Sequence, residues 1–237
     1  RFESSIAHSF MPNHLFRPRR VDLPPRLLLV PRWLDRAVGA RVQHEAIRSQ
    51  GLFGATLHTF PRHAVLSGFF GYPHLLTLLE VIAGVQDKEI VLLGSAGAID
   101  PRLAVPRAVE VSFCAGYGPL ARFHQVPLRP LTAASGMDGE PITAVTVDLL
   151  QRETPTFLRH AARKGWQVVE MELFPLLAYL TRPPAATLVL TDRLTRLGIV
   201  PHGDRREIGR LFADRFDAIM RRWYDSIDGN TGSSVCR

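Results

Sequence analysis

Short, continuously apolar runs alternate along the chain with segments of helical periodicity. The clearest runs are Arg26–Val30 (RLLLV), Glu89–Leu93 (EIVLL) and Ala186–Thr191 (ATLVLT). A strand with one wet face alternates apolar and polar residues, whereas a strand covered on both faces is apolar throughout. Because helical segments lie between the runs, the pattern predicts an α/β protein. We expect a single domain with a central twisted mixed β-sheet flanked by helices on both faces.

The other predicted elements follow the same alternation. Further strands are expected at Ala64–Ser67, Ala108–Ser112, Thr143–Val147 and Gln167–Glu170. Helices are expected from about Leu34 to Ser49 and at His74–Ala83, Pro155–Lys164, Leu173–Leu180 and Arg205–Tyr224. No linker divides the chain, so residues 1–225 are predicted to form the domain. The segment Cys114–Glu140 is expected to be irregular, and residues 226–237 a flexible tail.

Composition narrows the class of protein. Apolar residues make up 46% of the 237 residues and charged residues 22%, which is typical of a globular protein. The chain has no apolar run of about 18 residues, and its first residues lack the apolar core of a signal peptide. Two cysteines, Cys114 and Cys236, are too few for a disulfide framework. These features predict a cytoplasmic protein without membrane contact.

The net charge of +7 comes almost entirely from arginine. Lysine occurs only at Lys88 and Lys164, so 27 of the 29 basic residues are arginines, and they are scattered along the chain. Arginine suits bidentate contact with phosphate or carboxylate, so it fits small anionic ligands as well as DNA. Because no groove-reading motif is present, a nucleic-acid partner is the least favoured interpretation, and most arginines are expected to solvate the surface.

Polar residues follow several predicted strands, and ligands of open α/β sheets gather at such ends. After Glu89–Leu93 comes Gly94–Gly97, where backbone amides and the Ser95 hydroxyl can cradle an anion. On so short a motif, a plain strand-to-loop turn is favoured over an anion site. Glu170 and Glu172 flank Met171 at a strand-to-helix junction. A solvated helix start and a carboxylate that binds paired hydroxyls are equally good interpretations there.

Two further residues have both a structural and a chemical interpretation. Asp192 follows an apolar strand, where it is either a cap or a general acid that needs burial to stay protonated. His14 lies in an arginine-rich stretch, where a solvated side chain is the default.

The order of the motifs resembles the nucleoside phosphorylase family, which includes purine nucleoside phosphorylase, uridine phosphorylase and methylthioadenosine nucleosidase. The resemblance covers about His14 to Tyr224. The segments that carry it are Leu27–Ala37 (LLLVPRWLDRA), Leu92–Asp100 (LLGSAGAID), Val145–Leu150 (VTVDLL), Val168–Leu180 (VVEMELFPLLAYL) and Leu188–Asp192 (LVLTD).

The resemblance assigns roles to individual residues. Asp192 corresponds to the acid that protonates a purine leaving group, with Arg205 assisting it. Met171, Glu172 and His14 correspond to ribose-binding residues. The residues implied for phosphate are Arg36, Arg48, Ser95, Gly94 and the non-matching Arg32, and those implied for the base are Leu150 and Glu170.

The sequence also departs from the family pattern. Arg32 and Trp33 stand where the first turn has glycine and aspartate. Leu92 replaces an arginine that is a main phosphate ligand in the phosphorolytic members, and Leu150 replaces the aromatic residue that stacks on the base.

The resemblance implies a pentosyltransferase that cleaves the N-glycosidic bond of a nucleoside, most simply a purine nucleoside, with phosphate as co-substrate. It implies no metal and no cofactor. A hydrolytic nucleosidase, with water in place of phosphate, and a non-catalytic nucleoside-binding relative remain open. The roles of His14 and Arg48 imply a homo-oligomer, either a dimer or a hexamer, in which subunits share the site.

Overall fold

The computed structural model describes residues 23–31, 39, 42, 45–82, 84–118, 126–128, 142–150, 153–201 and 204–228. The strands are β1 (Arg26–Pro31), β2 (Arg48–Leu52), β3 (Ala55–Thr59), β4 (Ala64–Phe69), β5 (Glu89–Ala98), β6 (Arg107–Gly116), β7 (Val126–Pro127), β8 (Ile142–Thr146), β9 (Val168–Glu170), β10 (Ala185–Thr195) and β11 (Gly198–Pro201). The helices are α1 (Gly71–Val81), α2 (Pro155–Lys164), α3 (Leu173–Tyr179) and α4 (Arg205–Asp228), with a 3₁₀ turn at Val85–Asp87.

The sheet is mixed and part of it closes on itself. The strand order is β11-β10-β6-β8-β9-β5-β1-β4-β3-β2, and an additional pairing joins β10 to β5. Strands β5, β10, β6, β8 and β9 therefore form a closed circuit, which we call the ring. Strands β1, β4, β3 and β2 extend from β5 as an open sheet, which we call the wing. The predicted α/β class and mixed sheet are confirmed, and the ring closure was not predicted.

The apolar runs form the strands at the centre of this architecture. Leu27 and Leu29 of β1 belong to a buried cluster that includes residues of α1 and α3. Leu28 and Val30 belong to a second cluster with residues of α4. Neighbouring residues of one strand thus enter different clusters, because successive side chains point to opposite faces of a sheet. This explains why β1 is apolar from Leu27 to Pro31.

Most predicted elements are confirmed, and α2 matches its predicted bounds. The expected helix to Ser49 is wrong at its end, because β2 begins at Arg48, although residues 39, 42 and 45 are helical. The β2–β3 hairpin was missed because its two turn residues are Phe53 and Gly54, both with positive φ (44° and 85°). Two-residue turns of this kind are normally signalled by Asn-Gly or Asp-Gly.

Three strands are longer than expected. The predicted turn at Gly94–Gly97 is wrong, because β5 continues through it to Ala98. The prediction that Asp192 follows a strand is also wrong, because β10 continues to Thr195 and pairs with β11. Within the segment expected to be irregular, β6 reaches Gly116 and β7 is formed. The added partner strands provide backbone hydrogen bonds that local sequence does not reveal.

The last helix runs from Arg205 to Asp228, four residues beyond its predicted end. In the described ranges, no helix has both the length and the hydrophobicity needed to cross a membrane.

Candidate active site

The site begins at a gap along one edge of β5. On one side, β10 pairs with β5 from Val91 to Ala98. On the other side, β1 pairs only as far as Leu92, and β9 joins at Gly97 and Ala98. Among the described residues, no strand pairs with this edge of β5 at residues 93–96. The predicted phosphate residues Gly94 and Ser95 therefore lie in the gap where the wing leaves the ring.

The wing and the ring are joined beside this gap. The Gly71 amide, at the start of α1, donates to Glu172 Oε1 at 2.9 Å, across 101 residues of sequence. The next amide, that of Tyr72, donates to the carbonyl of Met171 at 3.1 Å. Gly71 has φ +66°, a conformation that favours glycine. The β4–α1 connection thus fixes both Met171 and Glu172, two of the three residues predicted to bind ribose.

Glu170 is enclosed by hydrogen bonds from its own chain. Its Oε2 accepts the amides of Glu172 and Leu173, both at 2.7 Å. The Thr146 hydroxyl donates to Oε1, and Thr146 Oγ1 in turn accepts the Phe174 amide at 2.8 Å. These amides lie at the start of α3, where helix donors lack intrahelical partners. Oε2 of Glu170 thus caps the start of α3 and Oε1 is held by the Thr146 hydroxyl, while the predicted contact of Glu170 with the base stays a prediction.

Burial favours the neutral form of the Glu172 carboxyl. The side chain is 6% exposed, and burial raises its pKa to about 8, with the charge of Glu170 as a second cause. The Gly71 amide and the backbone of Met171 oppose this shift. Burial also raises the pKa of Glu170, against its hydrogen bonds from Thr146, Glu172 and Leu173. At most one of these adjacent carboxyls is readily ionised near neutral pH.

Asp192 lies on β10, directly over Gly97 of β5. The pairing between the two strands shifts register between Leu190 and Asp192, so that one extra residue is accommodated. A Cβ atom on Gly97 would lie 2.9 Å from Asp192 Oδ1 and 3.2 Å from Val169 Cγ1. A side chain at position 97 would therefore displace the Asp192 carboxyl from its present position. Burial raises the pKa of Asp192 to about 6.

The contact between Gly97 and Val169 also shows how Asp192 lies relative to Glu172. Val169 packs against Gly97 beneath Asp192, and Val169 is followed directly by Glu170, Met171 and Glu172. Asp192 and Glu172 therefore lie at the same end of the ring, at the end of β5 where the gap opens. Asp192, Met171, Glu172, Gly94 and Ser95 thus all lie on β5 or on chain segments that pair with β5 or directly follow such a strand.

Other predicted residues are exposed, are buried in the core or lie outside the described chain. Leu150 is 46% exposed in the segment that follows β8. Arg48 is exposed on β2, the outermost strand of the wing, and Arg205 is exposed at the first position of α4. His14, Arg32 and Arg36 lie outside the described residues. Leu92 is fully buried in the core, so the position of the missing arginine belongs to the apolar interior.

Several residues of the site were not singled out from the sequence. Thr146 lies within an apolar strand, and Gly71 within a turn of ordinary composition. Glu153 precedes Thr154 and Pro155, where an acid is usual at a helix start. Burial raises the pKa of Glu153 to about 7, and the charge of Asp192 adds to this shift. The only sequence signal for Glu153 was its place a few residues beyond the predicted base-binding segment.

Metal-ligating groups are not gathered at the site. In the part of the chain that the structure describes, no cluster of three or more His, Cys, Asp or Glu residues could hold a metal ion. The chemistry available at this end of the ring is that of carboxyl groups, backbone amides and the Ser95 hydroxyl.

Comparison with known proteins identifies the fold. No family model matches the chain, and no curated protein sequence matches it. Among solved structures, it is similar to the MTA nucleosidase (MTAN) of Chlamydia trachomatis bound to MTA, with a TM-score of 0.56 and 16% identity over 84% of this chain and 98% of that chain. It is also similar to purine nucleoside phosphorylase from Toxoplasma gondii in complex with immucillin-H, with a TM-score of 0.63 and 16% identity over 86% and 93% of the two chains.

A third solved structure has the same fold, the P knowlesi homolog of P falciparum PNP. It matches with a TM-score of 0.62 and 13% identity, over 86% of this chain and 90% of that chain. The chain therefore has the fold that nucleoside phosphorylases share with MTA nucleosidase, as the motif order predicted. At these identities the comparison establishes architecture, and the chemistry must be argued from the residues.

Proposed function

We propose that the protein cleaves the N-glycosidic bond of a purine nucleoside with phosphate, releasing the free base and a pentose 1-phosphate. The observation that carries the proposal is the location of Glu172 and Asp192 at one end of the ring, beside the gap along β5. The resemblance of the motifs points to the same chemistry, as do the ligands named for the similar structures: MTA and immucillin-H. We also propose that helices flank the sheet on both faces, as the sequence predicts.

The sugar is bound through Glu172. Two backbone groups already orient its carboxyl, which leaves further acceptor positions for hydroxyl groups. A carboxylate held in this way positions the ring as C1′ develops oxocarbenium character. Met171, half-buried beside Glu172, supplies an apolar wall for the sugar.

The base leaves with the proton of Asp192. An acid whose pKa is about 6 is protonated in about one molecule in ten at pH 7, far more often than an ordinary aspartic acid. This suits proton donation to a purine nitrogen such as N7. Phosphate attacks C1′ from the opposite face, held by the free edge of β5, the Ser95 hydroxyl, Arg36 and a neighbouring subunit's contribution through Arg48. Arg205 assists Asp192, and Leu150 contacts the base.

Hydrolysis is the second candidate, and one observation favours it. Leu92 is buried and apolar where phosphorolytic relatives carry an arginine. A charge-assisted hydrogen bond contributes about 1.5–3 kcal/mol, so its absence weakens phosphate binding. Water is then the nucleophile, and the base and the free pentose are the products.

One assay tests both candidates. Purified protein is incubated with inosine, adenosine, methylthioadenosine and uridine, with and without inorganic phosphate, and the released base is quantified. We expect release from the purine nucleosides to depend on phosphate. Equal rates in phosphate-free buffer would establish hydrolysis, and no release from any nucleoside would favour the non-catalytic binder. Light scattering on the same sample tests the expected homo-oligomer.

A further inference from the structure

Glu172 occupies the position that normally caps a helix, but its carboxyl does not cap α3. It directly precedes Leu173, the first residue of α3, and its side chain makes no capping hydrogen bond. A side-chain oxygen at this position usually accepts a hydrogen bond from the second or third amide of the helix. The Glu172 carboxyl instead accepts the Gly71 amide, at 2.9 Å, from outside α3. Other groups must therefore bind the first amides of the helix.

Glu170 and Thr146 bind these amides in place of the Glu172 carboxyl. Glu170 Oε2 accepts the amides of Glu172 and Leu173, both at 2.7 Å. Thr146 Oγ1 accepts the Phe174 amide at 2.8 Å. Phe174 is the second residue of α3, so Thr146 binds the amide that a capping Glu172 would bind.

The hydroxyl group of Thr146 uses its full hydrogen-bonding capacity in this network. Thr146 is fully buried at the end of β8, and its hydroxyl donates to Glu170 Oε1. A hydroxyl has one proton and two acceptor lone pairs. One lone pair accepts the Phe174 amide, and Cys114 Sγ lies 3.4 Å from the same oxygen. Burial raises the pKa of the Cys114 thiol, which therefore keeps a proton that it can donate to Thr146.

This network decides which way the Glu172 carboxyl turns. While Thr146 binds the Phe174 amide, the carboxyl of Glu172 is not needed at the start of α3. Without the Thr146 hydroxyl, a buried amide would lose its acceptor, which is costly. The Glu172 carboxyl is at the capping position and would then turn from Gly71 toward the Phe174 amide.

We propose that Thr146 is a positioning residue that keeps the Glu172 carboxyl away from α3 and directed at the hydroxyl groups of the sugar. This rests on the proposed function, in which Glu172 binds the sugar. Thr146 acts by binding the Phe174 amide and by holding Glu170, which in turn binds the Glu172 amide. The hydroxyl of Thr146 is therefore required, and its methyl group is not.

The test compares two substitutions of Thr146 on two substrates. Thr146→Val removes the hydroxyl and keeps the shape, whereas Thr146→Ser keeps the hydroxyl. For each protein, kcat/KM is measured with inosine and with 2′,3′-dideoxyinosine, which lacks the hydroxyl groups that Glu172 binds. Thr77→Val, which removes an exposed hydroxyl of α1, is the matched control and should leave both values unchanged.

The expected loss depends on the sugar. Thr146→Val should lower kcat/KM for inosine by about 10- to 100-fold, the usual effect of losing a hydrogen bond to a charged group. The value for dideoxyinosine should change by less than about threefold, because that substrate has no hydroxyl for Glu172 to bind. Thr146→Ser should stay within about threefold of wild type on both substrates, because it keeps a donor and an acceptor.

Three results would overturn the proposal. A loss of equal size on both substrates would mean that Thr146 has a purely structural role. An unchanged ratio of the two kcat/KM values in Thr146→Val, or a Thr146→Ser variant as impaired on inosine as Thr146→Val, would exclude the hydroxyl. If Thr146→Val does not fold, Thr146→Cys takes its place. A thiol is a weak donor and acceptor, so the same selective loss is expected at smaller size.

Hydrogen exchange in the free protein separates this proposal from the proposed function. When the Glu172 carboxyl turns toward α3, the Gly71 amide loses its acceptor and should exchange at least about tenfold faster in Thr146→Val. The Phe157 amide, bound to Thr154 Oγ1 at the start of α2, is the reference for a general loss of stability. If no nucleoside is cleaved, faster exchange at Gly71 that Thr146→Ser does not share still supports control of Glu172 by Thr146. Exchange at Gly71 that changes no more than at Phe157 rejects it.

Discussion

Two pairs of carboxyl groups lie at the same end of the ring, and their surroundings differ. Glu170 and Glu172 accept hydrogen bonds from four backbone amides and the Thr146 hydroxyl. Glu153 has a buried oxygen without a partner among the described residues, and Asp192 lies over the bare backbone of Gly97. Glu170 and Glu172 are held in place by these donors, whereas Glu153 and Asp192 are buried with few donors, and burial raises the pKa of all four carboxyls.

The largest expected effect is on Asp192. Asp192→Asn removes the transferable proton and keeps the shape, so kcat should fall by about 10²–10⁴, the usual contribution of general acid catalysis. The dissociation constant for the nucleoside should change less than threefold, measured by calorimetry. Asp214→Asn, at an exposed position of α4, is the control. Turnover within tenfold of wild type would remove Asp192 from the chemistry.

Glu172 should make the stability of the protein depend on pH. Because its folded pKa is about 8, above its usual 4.5, the native state holds a proton that the unfolded chain lacks between these values. The free energy of unfolding should therefore fall as pH rises from about 4.5 to 8, by on the order of a few kcal/mol. Glu172→Gln should flatten that slope in urea titrations from pH 5 to 8.5. Parallel slopes in both proteins would contradict the buried neutral carboxyl.

A substitution of Thr146 tests the hydrogen bonds that hold Glu170 at the start of α3. Thr146→Val leaves Glu170 Oε1 without its donor and the Phe174 amide without its acceptor. Stability should decrease by about 2–3 kcal/mol, since each unsatisfied buried group costs about 1–3 kcal/mol. Urea unfolding at pH 7 measures the loss. Thr77→Val, which removes an exposed bond to the Pro73 carbonyl, should cost far less.

The smallest effect is a proton released on binding. Ribose hydroxyls that donate to Glu172 favour its charged form, so nucleoside binding at pH 7 should release up to about one proton. The binding enthalpy measured in two buffers of different ionisation enthalpy gives the number. Glu172→Gln should abolish the release. Proton uptake by the wild type would mean that Glu172 binds the sugar as a neutral acid.

The sequence predicted what depends on local pattern. Apolar runs such as Arg26–Val30 identified the strands, and the helix predicted at Pro155–Lys164 is α2 with the same bounds. The resemblance identified Glu172 and Asp192, which the fold brings to one end of the ring. The extensions of β5 past Leu93 and of β10 past Thr191 depend on partner strands that are distant in sequence, so no local pattern predicts them.

The environment of each carboxyl group could not be predicted from the sequence either. Glu170 and Glu172 are separated by one residue, yet one caps α3 and the other meets Gly71 from the wing. Glu153 resembles any acid before a capped helix until α2 is packed on β10. Burial and hydrogen-bond donors, which decide how a carboxyl titrates, are properties of the assembled fold.

The hydrogen bond between the Gly71 amide and Glu172 has a consequence for the cooperativity of folding. Under the proposed function, sugar binding depends on Glu172, which follows ring strand β9 and is held by Gly71, which follows wing strand β4, so neither region alone would bind the nucleoside. A bound nucleoside would hold together two parts of the chain that are distant in sequence. The fraction of protein that binds nucleoside would therefore equal the fraction in which both parts are folded. Ligand saturation should accordingly raise the melting temperature as a single cooperative transition.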